Sequence, residues 1–319
     1  MTTLTTLGKV WDRVDALSRL CRDDTVPVGD ITFDSLDSVR IAQEPHPLRP
    51  TAQQHICNRL GVPAQYLRRC PVELQQENLN YWIEKEKNDE LFFRFDGDEV
   101  RAIFTPRYIP VDNFEVMERL DSLGYGPGTE VQCSLDAEFL SVSIPDSRKT
   151  FAINGDRITP GISISNSEVG LSSLRIAAFF LRLVCTNGLI TRQAIGAAYR
   201  HVSTKIFTEF PSIMGSISNG LAQHADRFRI STESSVDNPE ATLKSFSRQF
   251  GLSEFEQKAL TWAWPQEAGS TMFSVIQTFT RAAQMPGLNA ESTYRLQRVG
   301  GDILAMVKAP TGKAYAKSH

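Results

Sequence analysis

Residues 91–108 read LFFRFDGDEVRAIFTPRY, and this stretch constrains the fold more than any other part of the chain. Two runs rich in apolar and aromatic residues flank the triplet Asp96-Gly97-Asp98. An Asp-Gly pair between two such runs predicts a tight β-hairpin, because these residues accept the backbone angles that hairpin turns require. We therefore expect the chain to contain an antiparallel sheet.

Strand patterns and helical patterns are mixed along the chain without a regular alternation. Apolar residues recur at helical spacing in residues 4–23, 77–90 and 113–124. Strand patterns occupy residues 138–145 and 150–165, with a second tight-turn pair at Asn154-Gly155. The mixture predicts an α+β fold, in which helices pack on an antiparallel sheet and a mostly α-helical C-terminal part follows. We expect residues 1–208 to form the α+β core domain and residues 209–319 to form the helical C-terminal region.

The composition is that of an ordinary globular chain, since 41% of the 319 residues are hydrophobic and 22% are charged. No apolar run approaches the roughly 18 residues that span a bilayer. The N-terminal residues lack the apolar segment of a signal peptide. We therefore expect a cytoplasmic protein that has no membrane partner.

The sequence carries no recognisable catalytic or cofactor motif. Its five cysteines are odd in number and include no Cys-x-x-Cys pair, which is typical of reduced thiols. The motifs of phosphate-binding loops, dinucleotide-binding folds, zinc proteases and serine esterases do not occur. We expect no cofactor and no bound metal, and we assign no residue a catalytic role.

Charge is distributed unevenly along the chain. The net charge is −3, but residues 1–140 hold 15 Lys and Arg against 24 Asp and Glu, a net −9. Residues 141–319 hold 19 against 13, a net +6. Between Glu168 and Glu209 there is no acidic residue. Such an asymmetry is typical of a protein with a polyanionic partner, and it also fits an ordinary uneven surface.

The acid-free window has the pattern of two consecutive helices. The residues from Ser165 to Glu168 fit a capping box, which marks the start of a helix. The pair Asn187-Gly188 can end that helix in a left-handed turn and lead into the next one. We therefore expect the chain to be almost entirely helical from about Ser172 onward.

Basic and aromatic residues share narrow stripes on these predicted helices, at about 100° per residue. The stripe of the first helix contains Arg175, Phe179 and Arg182. The second helix carries Arg192, Tyr199 and Arg200, and Lys205 follows. Guanidinium groups pair with phosphates and aromatic rings stack on bases, so the stripes fit a nucleic-acid contact. A core-facing phenylalanine with arginines paired to acidic residues fits the same pattern.

Two further segments are candidates for a nucleic-acid contact. Arg107 and Tyr108 follow a proline at the end of the predicted hairpin, which places them in a loop or at a sheet edge. Residues 51–70 contain two short helical patterns around Gly61, with a spacing similar to that of a helix-turn-helix. Pro71 cuts the second pattern short, which favours a plain helical hairpin over a DNA-reading element.

Three segments together resemble a known family. They are CNRLGVP through LNYWI (residues 57–83), AIFTPRYIPVDN (residues 102–113) and GISISNSEVGLSSL through RLVCTNGLI (residues 161–190). In order and spacing, over roughly residues 50–210, they are similar to uncharacterised phage/plasmid-like proteins, which are carried on prophages, phages and plasmids. The resemblance implies a mobile-DNA context in a bacterial or phage-infected cytoplasm, and it implies no catalytic residue. The expected architecture is also similar to that of the phage single-strand annealing recombinases.

These observations lead to the hypothesis of a non-enzymatic nucleic-acid-binding protein of a phage or plasmid. It would bind single-stranded DNA for annealing in recombination or replication. Self-association is expected through contact between the acidic half of one copy and the basic half of the next. The candidate contact residues are Arg107, Tyr108, Arg175, Phe179, Arg182, Arg192, Tyr199, Arg200 and Lys205. Two alternatives stay open: a metal-dependent nuclease or other phosphoryl-transfer enzyme, and a protein-binding module that acts on a host factor.

Overall fold

The structure is a computed structural model, and it describes residues 3–87, 89–153, 155–182, 187–191, 197–199, 211–212 and 222–307. The strands are β1 (Thr3–Thr6), β2 (Cys21–Pro27), β3 (Ile31–Ser35), β4 (Ser38–Ile41), β5 (Glu44–Pro47), β6 (Glu90–Asp96), β7 (Glu99–Phe104), β8 (Glu130–Leu135), β9 (Leu140–Pro145), β10 (Phe151–Ile153), β11 (Asp156–Asn166), β12 (Leu174–Arg182), β13 (Asn187–Ile190) and β14 (Ala197–Tyr199). The helices are α1 (Leu7–Ser18), α2 (Pro50–Leu60), α3 (Ala64–Leu67), α4 (Val72–Ile83), α5 (Asn113–Ser122), α6 (Ala222–Glu233), α7 (Pro239–Gln249), α8 (Glu254–Glu267), α9 (Met272–Ala282) and α10 (Ala290–Met306).

Among the described residues, the largest sheet is antiparallel and contains eight strands. Its order is β1-β8-β9-β11-β12-β13, and β10 and β14 pair with β11 and β12 respectively. The long strands β11 and β12 form its centre, in register from Ile158 opposite Arg182 to Ser165 opposite Arg175. Most residues on both faces of this pair are buried, as expected for strands that are covered on each side of a sheet.

Residues 21–104 form a second unit, which we call the inserted unit because it lies between α1 and α5 in the chain. It contains two three-stranded sheets, β2-β6-β7 and β3-β4-β5, together with α2, α3 and α4. Its own apolar core includes Phe33, Phe93 and Phe95. The chain therefore leaves the main sheet after β1 and returns to it at β8, which pairs antiparallel with β1.

The C-terminal helices share one apolar core with the main sheet. This core joins Phe180 of β12 with Phe228 of α6 and Phe279 of α9. The helix α10 crosses β13 at Gly301, where a Cβ would stand only 2.0 Å from the carbonyl oxygen of Ile190. The absence of a side chain at this position lets the helix lie directly on the strand.

The structure confirms the α+β class, the antiparallel sheet and the mostly helical C-terminal part. The predicted hairpin is formed by β6 and β7 around Gly97, which has a left-handed φ of 59°. Gly155 likewise has a left-handed φ of 88° between β10 and β11, and Asn154 lies outside the described residues. The predicted division between residues 208 and 209 also lies outside them.

The prediction of two helices after Ser172 is wrong. The segment from Leu174 to Arg182 forms β12, which pairs antiparallel with β13 and with β14. Both faces of β12 are buried, so the segment shows no alternation of apolar and polar residues. Its leucines and alanines also have a high helix propensity, and the pairing partners override it.

The pair Asn187-Gly188 is not a helix corner. Both residues lie on β13, and the φ of Gly188 is not positive. A Cβ on Gly188 would stand 2.2 Å from Oε1 of Gln132 and 2.7 Å from Cε2 of Phe179, so close packing requires the glycine. The predicted capping box from Ser165 to Glu168 is also wrong. This stretch contains the last residues of β11 and the two residues after it, and it caps no helix.

Candidate nucleic-acid interface

A cavity lies where α2, α4 and β7 end at one edge of the inserted unit. Its volume is about 530 Å³. It is lined by Arg59, Leu60, Trp82, Lys85, Glu86, Lys87, Thr105 and Arg107, which we call the basic pocket. Four of these residues are cations and one is an anion, so the pocket has a net charge of +3 within the acidic half of the chain.

The ends of the two helices favour basic residues here. Gly61 takes a left-handed φ of 71° and its N–H donates to the carbonyl of Cys57, which ends α2. Arg59 lies in the last turn of α2, and Lys85 follows the end of α4 at Ile83. The last carbonyl groups of a helix carry partial negative charge, so both cations are favourably placed.

Two adjacent aromatic residues at the end of α4 are exposed. Trp82 lines the pocket and is 42% exposed, and Tyr81 beside it is 53% exposed. Their rings meet edge to face with centroids 5.1 Å apart. The Nζ of Lys85 lies 3.6 Å from the ring centroid of Tyr81 and 5.6 Å from that of Trp82. The pocket thus places an exposed indole next to an ammonium group, which is a combination that suits a base and its phosphate.

The cations of the pocket differ in how far their charge is already matched. Arg59 pairs with Glu86 at 3.7 Å, and both side chains are largely buried. Lys87 and Arg107 are exposed, and neither forms an ion pair with another residue in the part of the chain that the structure describes. Lys85, Lys87 and Arg107 are therefore the charges that an anionic ligand can engage.

Arg107 stands at the tip of a tight turn after β7. The N–H of Tyr108 donates to the carbonyl of Thr105 at 3.0 Å, which closes a four-residue turn with Pro106 in its second position. The predicted loop placement of Arg107 and Tyr108 is confirmed. Proline fixes its own φ, so the turn holds the backbone of Arg107 with little freedom.

The ring of Tyr108 packs against other aromatic rings of the protein. It stacks on Phe104 with centroids 3.8 Å and planes 2° apart, and the centroid of Phe92 lies 5.7 Å away. The hydroxyl of Tyr108 donates to the carbonyl oxygen of Glu168 at 3.2 Å. Burial raises the pKa of Tyr108 to about 12, so this hydroxyl is protonated at neutral pH. The side chain is placed to anchor the turn rather than to stack on a base.

Glu168 is buried and lies at the centre of a polar cluster behind the turn. Its carboxylate accepts hydrogen bonds from Nη1 of Arg101 and from the backbone N–H of Asn113, each at 2.7 Å. Its carbonyl oxygen accepts from Nη1 of Arg94 at 3.0 Å as well as from Tyr108. A buried carboxylate is stabilised by such paired donors, so Glu168 is held firmly in place.

The same cluster continues through Arg94, which is 2% exposed. Its guanidinium donates to both carboxylate oxygens of Asp23, at 2.9 and 3.1 Å, and also to Asp112. Burial alone would lower the pKa of Arg94, but Asp112 and Asp23 raise it above its ordinary value. The paired charges connect the inserted unit to α5 and to the end of β11. We call Asp23, Arg94, Arg101, Tyr108, Asp112, Asn113 and Glu168 the Glu168 cluster.

Phe179 and Arg175 do not form the predicted exposed stripe. Phe179 is fully buried in a small apolar cluster with residues of α10, so its ring cannot stack on a base. Arg175 is half-buried on the same face of β12, and its Nε donates to the hydroxyl of Ser172 at 3.2 Å. The prediction that Phe179 is a stacking platform is wrong, because a strand covered on both faces presents no such stripe.

Arg182 lies on the opposite face of β12 from Arg175. The two residues are seven positions apart, which is about two turns of a helix but an odd number of steps along a strand. Arg182 pairs with Asp156 at 3.0 Å and with Glu267 of α8 at 2.8 Å. Burial opposes the charge of Arg182, but these two carboxylates raise its pKa above the ordinary value. Its guanidinium therefore serves an internal ion-pair network and not the predicted phosphate contact.

The second predicted stripe falls mostly outside the described residues. Arg192, Arg200, Lys205 and the side chain of Tyr199 are all outside them. The backbone of Tyr199 is described and belongs to β14, so this residue is not helical as predicted.

The segment around Gly61 is a plain helical connection. The helix α2 is followed by α3, which spans only Ala64–Leu67. One helical turn is too short to lie along a DNA groove and present several side chains to it. The predicted pair of short helices around Gly61 is confirmed, and the preference for a plain helical hairpin over a DNA-reading element stays a prediction.

Sequence reasoning identifies Arg107 but misses the other cations of the pocket and Trp82. Trp82, Lys85 and Lys87 lie in the segment YWIEKEK, whose exposed aromatic pair beside alternating charges is a usable signal. Arg59 gives no such signal, because it stands alone in its helix. The meeting of α2, α4 and β7 at one cavity depends on the tertiary fold, which spacing along the chain does not show.

Within the described ranges, no group of three or more His, Cys, Asp or Glu side chains is placed to hold a metal ion. The carboxylates of the Glu168 cluster, of which only that of Glu168 is buried, are paired with arginines. No helix in the described part of the chain combines the length and the apolarity that crossing a membrane requires.

A family model described as a domain of unknown function, DUF932, matches residues 101–285. The chain belongs to the DUF932 family. The matched region of DUF932 begins at Arg101, so it includes the Arg107 turn and Glu168, whereas Arg59, Trp82 and the two pocket lysines precede it. No curated protein matches the chain, and no solved structure matches it.

Proposed function

We propose that the protein binds single-stranded nucleic acid and that the basic pocket is its contact surface. The observation that carries this proposal is a cavity of about 530 Å³ that is lined by Lys85, Lys87, Arg107 and the exposed Trp82. A single strand offers phosphates to the cations and unpaired bases to the ring. The contact is proposed at the pocket and not along β12.

The shape of the pocket favours a single strand over a duplex. Trp82 lines a cavity, and a base in a duplex has both of its faces covered by neighbouring bases, so only an unstacked base can reach the indole. Stacking of one base contributes roughly 1–3 kcal/mol and tolerates any sequence. We therefore propose binding with little sequence preference.

The attraction is short-ranged, because the pocket lies in the acidic half of the chain. Residues 1–140 carry a net charge of −9. At physiological ionic strength charges act over a screening length of about 8 Å, so the pocket attracts phosphates that are already close. Three phosphate contacts at about 0.7 each would give a salt slope, log Kd against log salt concentration, of roughly 2.

The biological setting that we propose is a phage or plasmid. The resemblance of three segments to phage/plasmid-like proteins supports it, and annealing of single strands in recombination or replication is the role proposed there. The uneven charge distribution would allow copies to associate head to tail along a strand. Self-association stays a prediction that sedimentation velocity with and without an oligonucleotide measures.

Binding is tested by fluorescence anisotropy with a labelled mixed-sequence oligodeoxynucleotide, as a single strand and as a duplex, over a series of salt concentrations. We expect the single strand to bind more tightly. The combined variant Lys85→Ala, Lys87→Ala and Arg107→Ala should lose most of the salt slope of roughly 2. The variant Trp82→Ala should bind roughly 5- to 150-fold more weakly, because it loses a stacked base. A single-stranded RNA of the same sequence distinguishes the two nucleic acids.

The matched control changes three exposed cations of the C-terminal helices, as Lys244→Ala, Arg248→Ala and Lys258→Ala. This control changes the net charge of the protein by the same amount and should retain the wild-type slope. Equal binding by the pocket variant and the wild type would overturn the assignment of the pocket. If the wild-type protein binds no oligonucleotide even at low salt, the proposed function itself is wrong.

A further inference from the structure

We propose that Tyr108 is a positioning residue, which holds the backbone of Arg107 at the basic pocket without contacting the ligand itself. Glu168 supplies the fixed point to which Tyr108 is bound. This inference rests on the proposed function, because it concerns how the same pocket engages a phosphate. It assigns the residue beside Arg107 a role different from the direct contact that the sequence predicts.

The turn that carries Arg107 is closed on both sides by the same pair of rings. Phe104 ends β7 before the turn, and Tyr108 follows it. Their rings are parallel within 2° and their centroids are 3.8 Å apart. Movement of the turn away from the sheet would have to separate this stack or carry Phe104 out of its place on the strand. The exposed Arg107 thus stands between two stacked, half-buried residues.

The far end of Tyr108 is bound to a point that cannot shift easily. Its hydroxyl donates to the carbonyl oxygen of Glu168 at 3.2 Å. The carboxylate of Glu168 is held by Arg101 and by the backbone N–H of Asn113, each at 2.7 Å, in a buried position. A displacement of Glu168 would leave the buried charge of Arg101 without its carboxylate, which is strongly unfavourable.

The segment after Glu168 also packs directly on the stacked pair. Gly170 has a left-handed φ of 79°, and a Cβ there would stand 2.8 Å from Cε1 of Phe104. Close contact of this backbone with the Phe104 ring is therefore possible only for glycine. Both rings of the stack are seated on residues 168–170, one through a hydrogen bond and the other through packing.

This arrangement reduces the conformational entropy that the protein loses when it binds nucleic acid. A long arginine side chain loses rotamer freedom when it pairs with a phosphate, and a mobile backbone would add a further cost. The closed turn removes the backbone part of that cost before the ligand arrives. Tyr108 carries no charge, so any effect it has on the salt dependence of binding must be exerted through a charged group, and Arg107 is adjacent to it.

The test is a double-mutant cycle between Tyr108 and Arg107, measured by oligonucleotide anisotropy over a salt series. We expect Tyr108→Ala to weaken binding by about tenfold and Tyr108→Phe, which keeps the stack and loses the hydrogen bond, by about threefold. Tyr108→Ala should also lower the salt slope by about 0.7, the value of one phosphate contact. In the Arg107→Ala background both Tyr108 variants should have no further effect.

The control is Tyr125→Ala, which removes a partly buried tyrosine packed against the other core and should leave the slope unchanged. If circular dichroism shows that Tyr108→Ala is unfolded, the double-mutant cycle between Tyr108→Phe and Arg107→Ala tests the positioning role by itself. Additive effects of Tyr108 and Arg107, with an unchanged slope, would overturn the positioning role while leaving the proposed function intact. A wild-type protein that does not bind the oligonucleotide would instead overturn the proposed function.

Discussion

The turn at Arg107 and the strand β12 each carry an arginine close to an aromatic residue, yet their environments are opposite. At the turn, Arg107 is exposed and its aromatic neighbour is packed behind it. On β12, Arg182 is paired with Asp156 and Glu267, and Phe179 is fully buried. The turn thus exposes its arginine to solvent, whereas the arginine of the strand is neutralised by carboxylates within the fold.

This difference shows that the role of an arginine is decided by the elements packed against it. The acids that neutralise Arg182 come from β11 and from α8, which lies 85 residues further along the chain. No acid of the described residues reaches Arg107, although the surrounding half of the chain is the acidic one. The net charge of a chain segment therefore does not indicate which arginine is available to a ligand. The tertiary contacts of each arginine do indicate it.

The largest effect is expected from Phe179→Ala. Removal of a fully buried ring should lower the free energy of unfolding by about 3–5 kcal/mol, because the surrounding core cannot close the cavity completely. Chemical denaturation measures this loss. The protein that remains folded should bind oligonucleotide as the wild type does. A stable Phe179→Ala variant with lost binding would show that β12, and not the turn, is the interface.

A smaller loss of stability, roughly 3 kcal/mol, is expected from Arg182→Ala. This change removes the partner of Asp156 and of Glu267, and the Glu267 side chain is only 6% exposed. Thermal and chemical denaturation measure the loss, and the salt slope of oligonucleotide binding should not change. The exposed Arg157 on β11 is the matched control, since Arg157→Ala should alter stability by no more than about 0.5 kcal/mol. A reduced slope for Arg182→Ala would contradict its internal role.

The smallest effect concerns acid sensitivity on the pocket side. The His55 ring packs on Phe104 with centroids 5.0 Å apart. Burial and the positive charge of Arg59 lower the pKa of His55 to about 4. The folded state therefore binds this proton less readily than the unfolded state, whose pKa is about 6.5. The contribution of the neutral His55 ring to the free energy of unfolding is therefore complete above a pH of about 6.5. It decreases as the pH falls toward 4, by up to about 1.4 kcal/mol at pH 5.5.

The measurement is the free energy of unfolding as a function of pH for the wild type and for His55→Gln. The difference between the two curves isolates His55 from the other titrating groups. Hydrogen exchange should show that the acid-induced opening is centred on β7 and α2, while β12 stays protected. Parallel curves for the two proteins would mean that the pKa of His55 is the same in the folded and unfolded states, and would contradict its burial beside Phe104.

The hairpin of β6 and β7 could be predicted from the sequence because its turn and its two strands are local features. The fold class and the loop placement of Arg107 follow from the same kind of local signal. The strand β12 could not be predicted, because burial on both faces removes the alternation that identifies strands. The basic pocket could be predicted only in part, since Arg59, Trp82 and Arg107 come from three elements whose meeting depends on long-range packing.

The insertion of a whole unit between β1 and β8 has a consequence for how the chain folds. Thr6 pairs with Glu130, so this edge of the main sheet closes across more than a hundred intervening residues. The cost of closing such a loop grows with its length, and the inserted unit, which has its own core, shortens the loop when it folds first. During synthesis β1 must wait for β8 to emerge, while the inserted unit is already complete. We expect the Glu168 cluster to form last, because its residues come from both units and meet only when each is in place.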